Sequence, residues 1–367
     1  MSTWRLVIED GASAGYGLAA DEVQARRVGR GESAPTLRLY TYDRCALVGR
    51  FQTIESELRL DACRAEDVPY NRRPTGGGAI VMGPGQLGVA LTLPGSTEDP
   101  HRRARELMAR FSEGVVRGVG ALGISAAFRG KNAVEVGGKK LAGLGVYRDG
   151  SGGLLYHASL LVDLDVAFML RVLSTPFEKI GDKEIAAVSQ RISTVRRELG
   201  RDVPLDEVRA AIARGYEETF GVTLELGRYD DGELEQTAAL GAEKYRSHGW
   251  IHQRIEVPDR VGSARKKTDA GLLDVRVTAA GRMMKAVYVG GDFFAAEGAI
   301  ADLEGLLRWH VADPDRVRET VTAAYGRHGD ALDGLPMDAL IETIVAAASR
   351  ASEEGYGCFV NPRGGDA

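Results

Sequence analysis

Two short stretches carry side chains whose types and spacing suit chemistry on an anion. The first, "RRPTGGGAIV" (Arg72 to Val81), sets two arginines and a proline directly before three consecutive glycines and an apolar run. Each glycine loses more backbone freedom on folding than any other residue, so a run of them in an ordered segment needs a reason. Glycines let successive backbone N–H groups close around an anion. Arginines add fixed charge and paired donors that match phosphate or carboxylate. A plain glycine-rich turn with solvated arginines is the competing reading. The second stretch, "NAVEVGGKKLAGLGVY" (Asn132 to Tyr147), brings Lys139 and Lys140 into an apolar, glycine-rich strand pattern. Neighbours along a strand face opposite ways, so one lysine can be solvated while the other enters the domain and needs an anion. A hairpin with both lysines exposed is the alternative.

Other motifs exclude more than they offer. "GYGLAA" (Gly15 to Ala20) has the form G-x-G-x-x-A, but the segment after it, "ARRVGRGES", is basic where a dinucleotide site needs an acidic residue. Glycines at the start of a helix are the better reading. No G-x-x-x-x-G-K-[ST], H-E-x-x-H or G-x-S-x-G occurs in usable context, which removes P-loop enzymes, zincins and serine hydrolases. The three cysteines, Cys45, Cys63 and Cys358, have irregular spacing and none adjoins a histidine in sequence. They make neither a disulfide framework nor a zinc pattern, and buried small hydrophobes are expected.

The elements that must position these residues follow from the hydrophobic pattern. "TWRLVIED" reads as a strand, "GASAGYGLAADEVQARRV" as a turn and helix, and "TLRLYTYDRCALVGRF" as strand, turn, strand. "IESELRLDACRAEDV" has helical spacing, "GAIVMGPGQLGVALTLP" suits two strands about a turn, and "PHRRARELMARFSEGVVRGVGALG" is a long amphipathic helix. The lysine stretch and "LLYHASLLVDLD" form a meander, and helices return at "DVAFMLRVL" and from Leu205 to Phe220. Strands without strict βαβ alternation predict an α+β fold with mixed or antiparallel sheets and flanking helices.

A length of 367 residues suits about two domains of roughly 150 each. A composition shift near "GRYDDGELEQTAALGAEKYRSHGWIHQR" divides the chain into 1–242 and 243–367. In the second part, a strand hairpin in "GLLDVRVTAAGRMMKAVYVGGDFF" precedes three helices, near Ile300 to Trp309, Pro314 to Tyr325 and Met337 to Ala351. The final "NPRGGDA" reads as a loose tail. A net charge of -5 gives no reason to expect nucleic acid as the main partner. The start of the chain lacks the features of a signal peptide, and no apolar run reaches about 20 residues, so a cytoplasmic protein without membrane association is expected.

Taken together, these segments resemble the lipoate–protein ligases, within the wider group of lipoate and biotin protein ligases and octanoyltransferases. "RRPTGGGAIV" is similar to that family's R-R-x-[ST]-G-G-G-A-V motif, and "NAVEVGGKKLAG" to its lysine motif. "ALVGRFQTIESEL", "LLYHASLLVDLD" and "VSQRISTV" resemble further family segments. "KYRSHGWI" and the region after it resemble the linker and accessory domain of ligases. The chain departs from the pattern at Met82 and Gly83, where His and Asp are usual, at Ala133 after Asn132, and at Ala158 after His157.

The resemblance implies a two-step reaction. Lipoate attacks the α-phosphate of ATP to give lipoyl-adenylate and pyrophosphate, and the lysine amine of an apo lipoyl domain or lipoyl-carrier protein then takes the acyl group as AMP leaves. It assigns Lys140 and Arg73 to catalysis. It gives substrate and nucleotide binding to Arg73, Thr75, Gly76, Gly77, Gly78, Ala79, Asn132, Lys140, Gly143, His157 and Ser159. Leu47, Val48 and His157 would line the acyl slot. Mg²⁺ would accompany the triphosphate, with no protein ligand assigned, and a monomer is expected. An octanoyltransferase or lipoyl amidotransferase of the same fold, which needs no ATP and can work through a cysteine thioester, is the nearest alternative. A non-catalytic lipoyl-adenylate-binding protein is a third.

Overall fold

The computed structural model describes residues 2–95, 104–174, 182–253, 260–280 and 283–353. Cys358, the tail "NPRGGDA", the "PHRR" start of the long helix and the tip of the second-part hairpin lie outside them. Two compact units divide the chain, Met1–Gln253 and Arg254–Ala367. The composition shift had placed that division at 242. Tyr245, Trp250 and Ile251 nonetheless belong to the first unit, because their backbone carbonyls bind the side chains of Asn71 and Arg72.

The first unit is mixed α+β. In chain order its strands are β1 (Ser2–Ala12), β2 (Thr36–Tyr42), β3 (Cys45–Val48), β4 (Tyr70–Arg72), β5 (Ile80–Met82), β6 (Gln86–Pro94), β7 (Ala127–Arg129), β8 (Ala133–Val136), β9 (Lys139–Arg148), β10 (Gly153–Leu161) and β11 (Val222–Leu226). Eight of them form one sheet in the order β11-β1-β2-β6-β10-β9-β8-β7. The pairs of β1 with β2 and β11 are parallel, and β8, β9 and β10 form the antiparallel meander expected from their glycine punctuation.

A second sheet of three strands, β4-β3-β5, stands beside it. The pattern "strand, turn, strand" in "TLRLYTYDRCALV" therefore does not make a hairpin, since β2 and β3 join different sheets. "GAIVMGPGQLGVALTLP" splits between the sheets in the same way. β3 alternates cleanly: Cys45 and Leu47 pack with Tyr40, Tyr42 and Met82, whereas Ala46 and Val48 pack with Ile54, Leu58 and Phe168. "IESELRLDACRAEDV" forms two short helices, Ile54–Glu57 and Leu60–Ala65, with Leu58 between them in an extended conformation.

Helix α1 (Ala14–Gly29) packs across β6 and β10, and two basic residues in its last turn, Arg26 and Arg27, complement its dipole. All seven residues of β2 are buried, including Arg38. That charge is tolerated because its guanidinium donates to Glu9, Asp21 and the carbonyl of Gly17.

The second unit has a four-stranded antiparallel sheet of β12 (Arg260–Thr268), β13 (Gly271–Ala280), β14 (Met283–Gly291) and β15 (His310–Val311). Helices Glu297–Leu307, Pro314–His328 and Met337–Glu353 flank it. Among the described residues no helix is long and apolar enough to cross a membrane.

Candidate active site

A pocket in the first unit lies between the glycine-rich stretch and the β9–β10 meander, and both motifs contribute to its wall. On the meander side, β9 is held by β8 and β10, and a register shift falls between Val134 and Glu135. The extra residue on β9, Leu141, breaks strict alternation, so Lys140 and Gly143 share a face, and both line the pocket. The backbone of Lys140 is fixed from outside the meander: its N–H donates to Arg191 at 2.9 Å and its carbonyl accepts from Ser193 at 2.9 Å. This gives "SQRIST" a structural task, as one extra bridge that holds the lysine in place. The lysine side chain lies over Gly143, where a Cβ would come within 3.2 Å of Nζ. Asn132 is fastened to the same strand, donating from Nδ2 to the Leu144 carbonyl at 3.1 Å.

On the other side, Arg73 is buried and its guanidinium gathers backbone oxygens. It donates to Leu47 at 3.3 Å, Gly76 at 3.0 Å and Gly78 at 2.7 Å. A planar peptide aims its N–H opposite its carbonyl, so this arrangement turns the N–H groups of Gly77 and Ala79 away from the guanidinium. Gly77 has φ +95°, a conformation that favours glycine. Its carbonyl sits 2.0 Å from where a Cβ on Gly49 would stand, so both positions exclude a side chain.

The two walls meet where Thr75 Oγ1 and His157 Nε2 lie 2.9 Å apart. Burial and the Arg73 guanidinium push the His157 imidazole down to about 3, so it is neutral near pH 7. Opposite it in the sheet, Gly145 leaves space for the ring.

Of the residues assigned from the sequence, Arg73, Gly78, Ala79, Asn132, Lys140, Gly143, His157 and Ser159 line this pocket. Thr75, Gly76 and Gly77 are buried in the loop behind its surface. Leu47 lines the pocket, but Val48 does not, because alternation along β3 turns it into the opposite cluster. The apolar end also uses Leu18, Tyr40, Tyr42, Ile80 and Met82, none of which had been assigned to the slot. The pattern "YTY" carried the signal for two of them, since residues two apart on a strand share a face.

Two nucleophile readings gain no support from position among the described residues. Cys45 and Cys63 are buried and line no part of this pocket, and burial pushes the Cys45 thiol up to about 12. The sequence "GASAG" (Gly11 to Gly15) does stand between a strand and a helix, contrary to its dismissal on context. Ser13 nevertheless has ordinary extended backbone (φ -67°, ψ 148°), and no histidine lines the cavity beside it. The pocket's lining has no carboxylate, and the described residues contain no cluster of three metal-binding side chains. The donor set fits an anion directly, and a divalent ion only through the phosphates of a bound nucleotide.

The pocket of this α+β domain combines two cations, Arg73 and Lys140, with tyrosines and aliphatic side chains. The family model for the lipoyl protein ligase A/B catalytic domain matches residues 13–217. The chain belongs to that family. It is 30% identical to the octanoyltransferase LipM of Symbiobacterium thermophilum over 277 residues, covering 68% of this chain and 98% of that one. Among solved structures, a bi-partite lipoate protein ligase from Thermoplasma acidophilum, described with its E2 lipoyl domain, superposes with a TM-score of 0.63 at 30% identity. That match covers 70% of this chain and 100% of the other. A lipoate-protein ligase A bound with ATP gives a TM-score of 0.60 at 27% identity, covering 68% of this chain and 98% of its own.

Proposed function

We propose that the first unit transfers a lipoyl or octanoyl group to a lysine amine on an acceptor lipoyl domain, after activating the free acid with ATP. The observation that supports this reading is the mixed lining of the pocket. Tyr40, Tyr42, Leu47 and Met82 would suit an aliphatic tail, and Lys140 and Arg73 would meet its carboxylate. Lys140 serves as the cation that meets charge on the carboxylate and the phosphate oxygens as they become one anhydride. Arg73 supplies fixed field and holds the loop carbonyls inward, which turns the amides of Gly77 and Ala79 outward as donors. Neutral His157 keeps Thr75 in place without adding a competing charge. A magnesium ion would be held through the nucleotide's phosphates and offset their charge. The second unit takes the accessory role.

A second reading, octanoyl transfer from an existing acyl thioester without ATP, is favoured by the relatives. Octanoyltransferases LipM recur among them at 28–31% identity. Against transfer through an enzyme thioester stands only that neither Cys45 nor Cys63 lines the pocket, Cys358 lying outside the described residues. One experiment separates the two: intact-mass measurement of an apo lipoyl domain after incubation with the purified protein and either donor. Acylation from octanoate or lipoate that requires ATP supports the ligase. Acylation from octanoyl-carrier thioester alone supports the transferase. Acylation from neither overturns acyl transfer altogether.

A further inference from the structure

Arg72 and Arg73 are adjacent and both buried, yet their side chains run to different places. Arg73 serves the pocket. Arg72 donates through Nε to the carbonyls of Trp250 and Ile251, each at 3.1 Å, across 178 residues or more of sequence. Through Nη1 it reaches the carbonyls of Gly49, Arg50 and Gln52. The contact is returned: the Trp250 indole N–H donates to the Arg72 carbonyl at 2.9 Å. One residue earlier, Asn71 Nδ2 donates to the Tyr245 carbonyl at 2.8 Å.

The same short segment is anchored at several other points. The Lys244 ammonium pairs with the buried carboxylate of Glu22 at 2.8 Å, and Tyr245 donates its hydroxyl to the same carboxylate. Lys244 also stands 4.1 Å from the Trp250 ring centroid, and the Arg50 guanidinium lies 4.8 Å from it. Tyr245 meets the Trp250 ring edge-on at 5.8 Å. None of these residues of the segment lines the pocket.

We propose that residues 244–251 form a strap that positions the Arg73–Ala79 loop, with Trp250 as its latch; the catalytic consequence rests on the acyl-transfer reading above. The strap holds the side chains of Asn71 and Arg72 and the Arg72 carbonyl. The next residue, Arg73, then enters the loop from a set point, with its N–H bonded to the Val48 carbonyl at 3.0 Å. A glycine-rich loop has little side-chain packing of its own to define its shape, so a constraint at its first residue is the efficient place to impose order. Trp250 is thus a positioning residue that touches no substrate.

The test is Trp250→Phe, which keeps an aromatic ring for Tyr245, Lys244 and Arg50 but lacks the indole donor. Amide hydrogen exchange at residues 73–79 is expected to speed about tenfold, with β9 and β10 unchanged. Transfer kcat is expected to fall about tenfold with the KM for the acid unmoved, since loop misplacement acts on the reacting geometry. If Trp250→Phe proves too unstable, Lys244→Met loosens the other end of the strap and is read in the same way. Wild-type exchange rates in the loop overturn the proposal, and so does an increase spread evenly over the first unit. A wild-type protein without transfer activity sinks the functional reading alone, because the exchange measurement still decides the strap.

Discussion

One wall of the pocket is regular sheet and the other is a glycine loop, and the two obtain their order differently. Lys140, Gly143 and Ser159 stand on β9 and β10, whose ladder continues through β6 into the centre of the sheet. Their positions follow from register, one bulge and the added bridge to residues 191–193. Arg73 to Ala79 have no such ladder. Their order comes from Arg73 drawing in its own loop's carbonyls, from the bond between Thr75 and His157, and from Arg72 fastened to Trp250. A rigid sheet can hold a reactive cation in register, whereas a loop that must offer backbone N–H groups has to be constrained from its ends.

Substitutions can break or sharpen this contrast. The largest effect is expected at the sheet wall's reagent. Lys140→Ala should lower transfer on the order of 10²–10³-fold, because it removes charge that acts on the developing anion. Its melting temperature should stay close to wild type, since the register that holds this strand is backbone-made. A deep fall in stability would show instead that the side chain is structural.

Next comes the joint between the walls. In Gly145→Ala the new Cβ would lie 2.3 Å from His157 Nε2 and 3.2 Å from Thr75 Cβ. The ring must move off Thr75, costing about 1–3 kcal/mol of stability as overpacking does and roughly tenfold or more in transfer rate as the loop shifts. Thermal unfolding and steady-state rates measure both. Full activity in this variant would mean that the joint is not needed.

The smallest effect is expected at Cys45→Ala. The thiol belongs to the packing around Tyr42 and Leu47 and lines no part of the pocket. Stability should fall by about 1 kcal/mol for the lost volume, with transfer per folded molecule unchanged. A dead Cys45→Ala enzyme would revive the thioester route.

The parts of the site that were legible in sequence were those written in local patterns. Lys140 stood out as a charge inside an apolar strand, and the meander around it followed from its glycines. The error at Val48 came from treating two neighbours in a strand as one surface, when β3 sends Leu47 and Val48 to different clusters. The shared face of Tyr40 and Tyr42 is readable from their spacing. The bulge beside Lys140 was not readable, since a register shift depends on both strands. Nor was the strap: a tryptophan paired with an arginine 178 residues away leaves no periodic trace. Composition places a boundary at 242 for the same reason, because it does not register that backbone carbonyls just beyond are bound by Asn71 and Arg72.

The most direct measurement of the central claim is acid-dependent exchange of pyrophosphate into ATP. It isolates activation at the cationic end of the pocket from delivery to an acceptor. Exchange that needs lipoate or octanoate in the wild-type protein, and is lost in Lys140→Ala, is the predicted result. Exchange that persists unchanged in Lys140→Ala, or a wild-type protein that exchanges nothing while acylating an acceptor from a thioester, would contradict it.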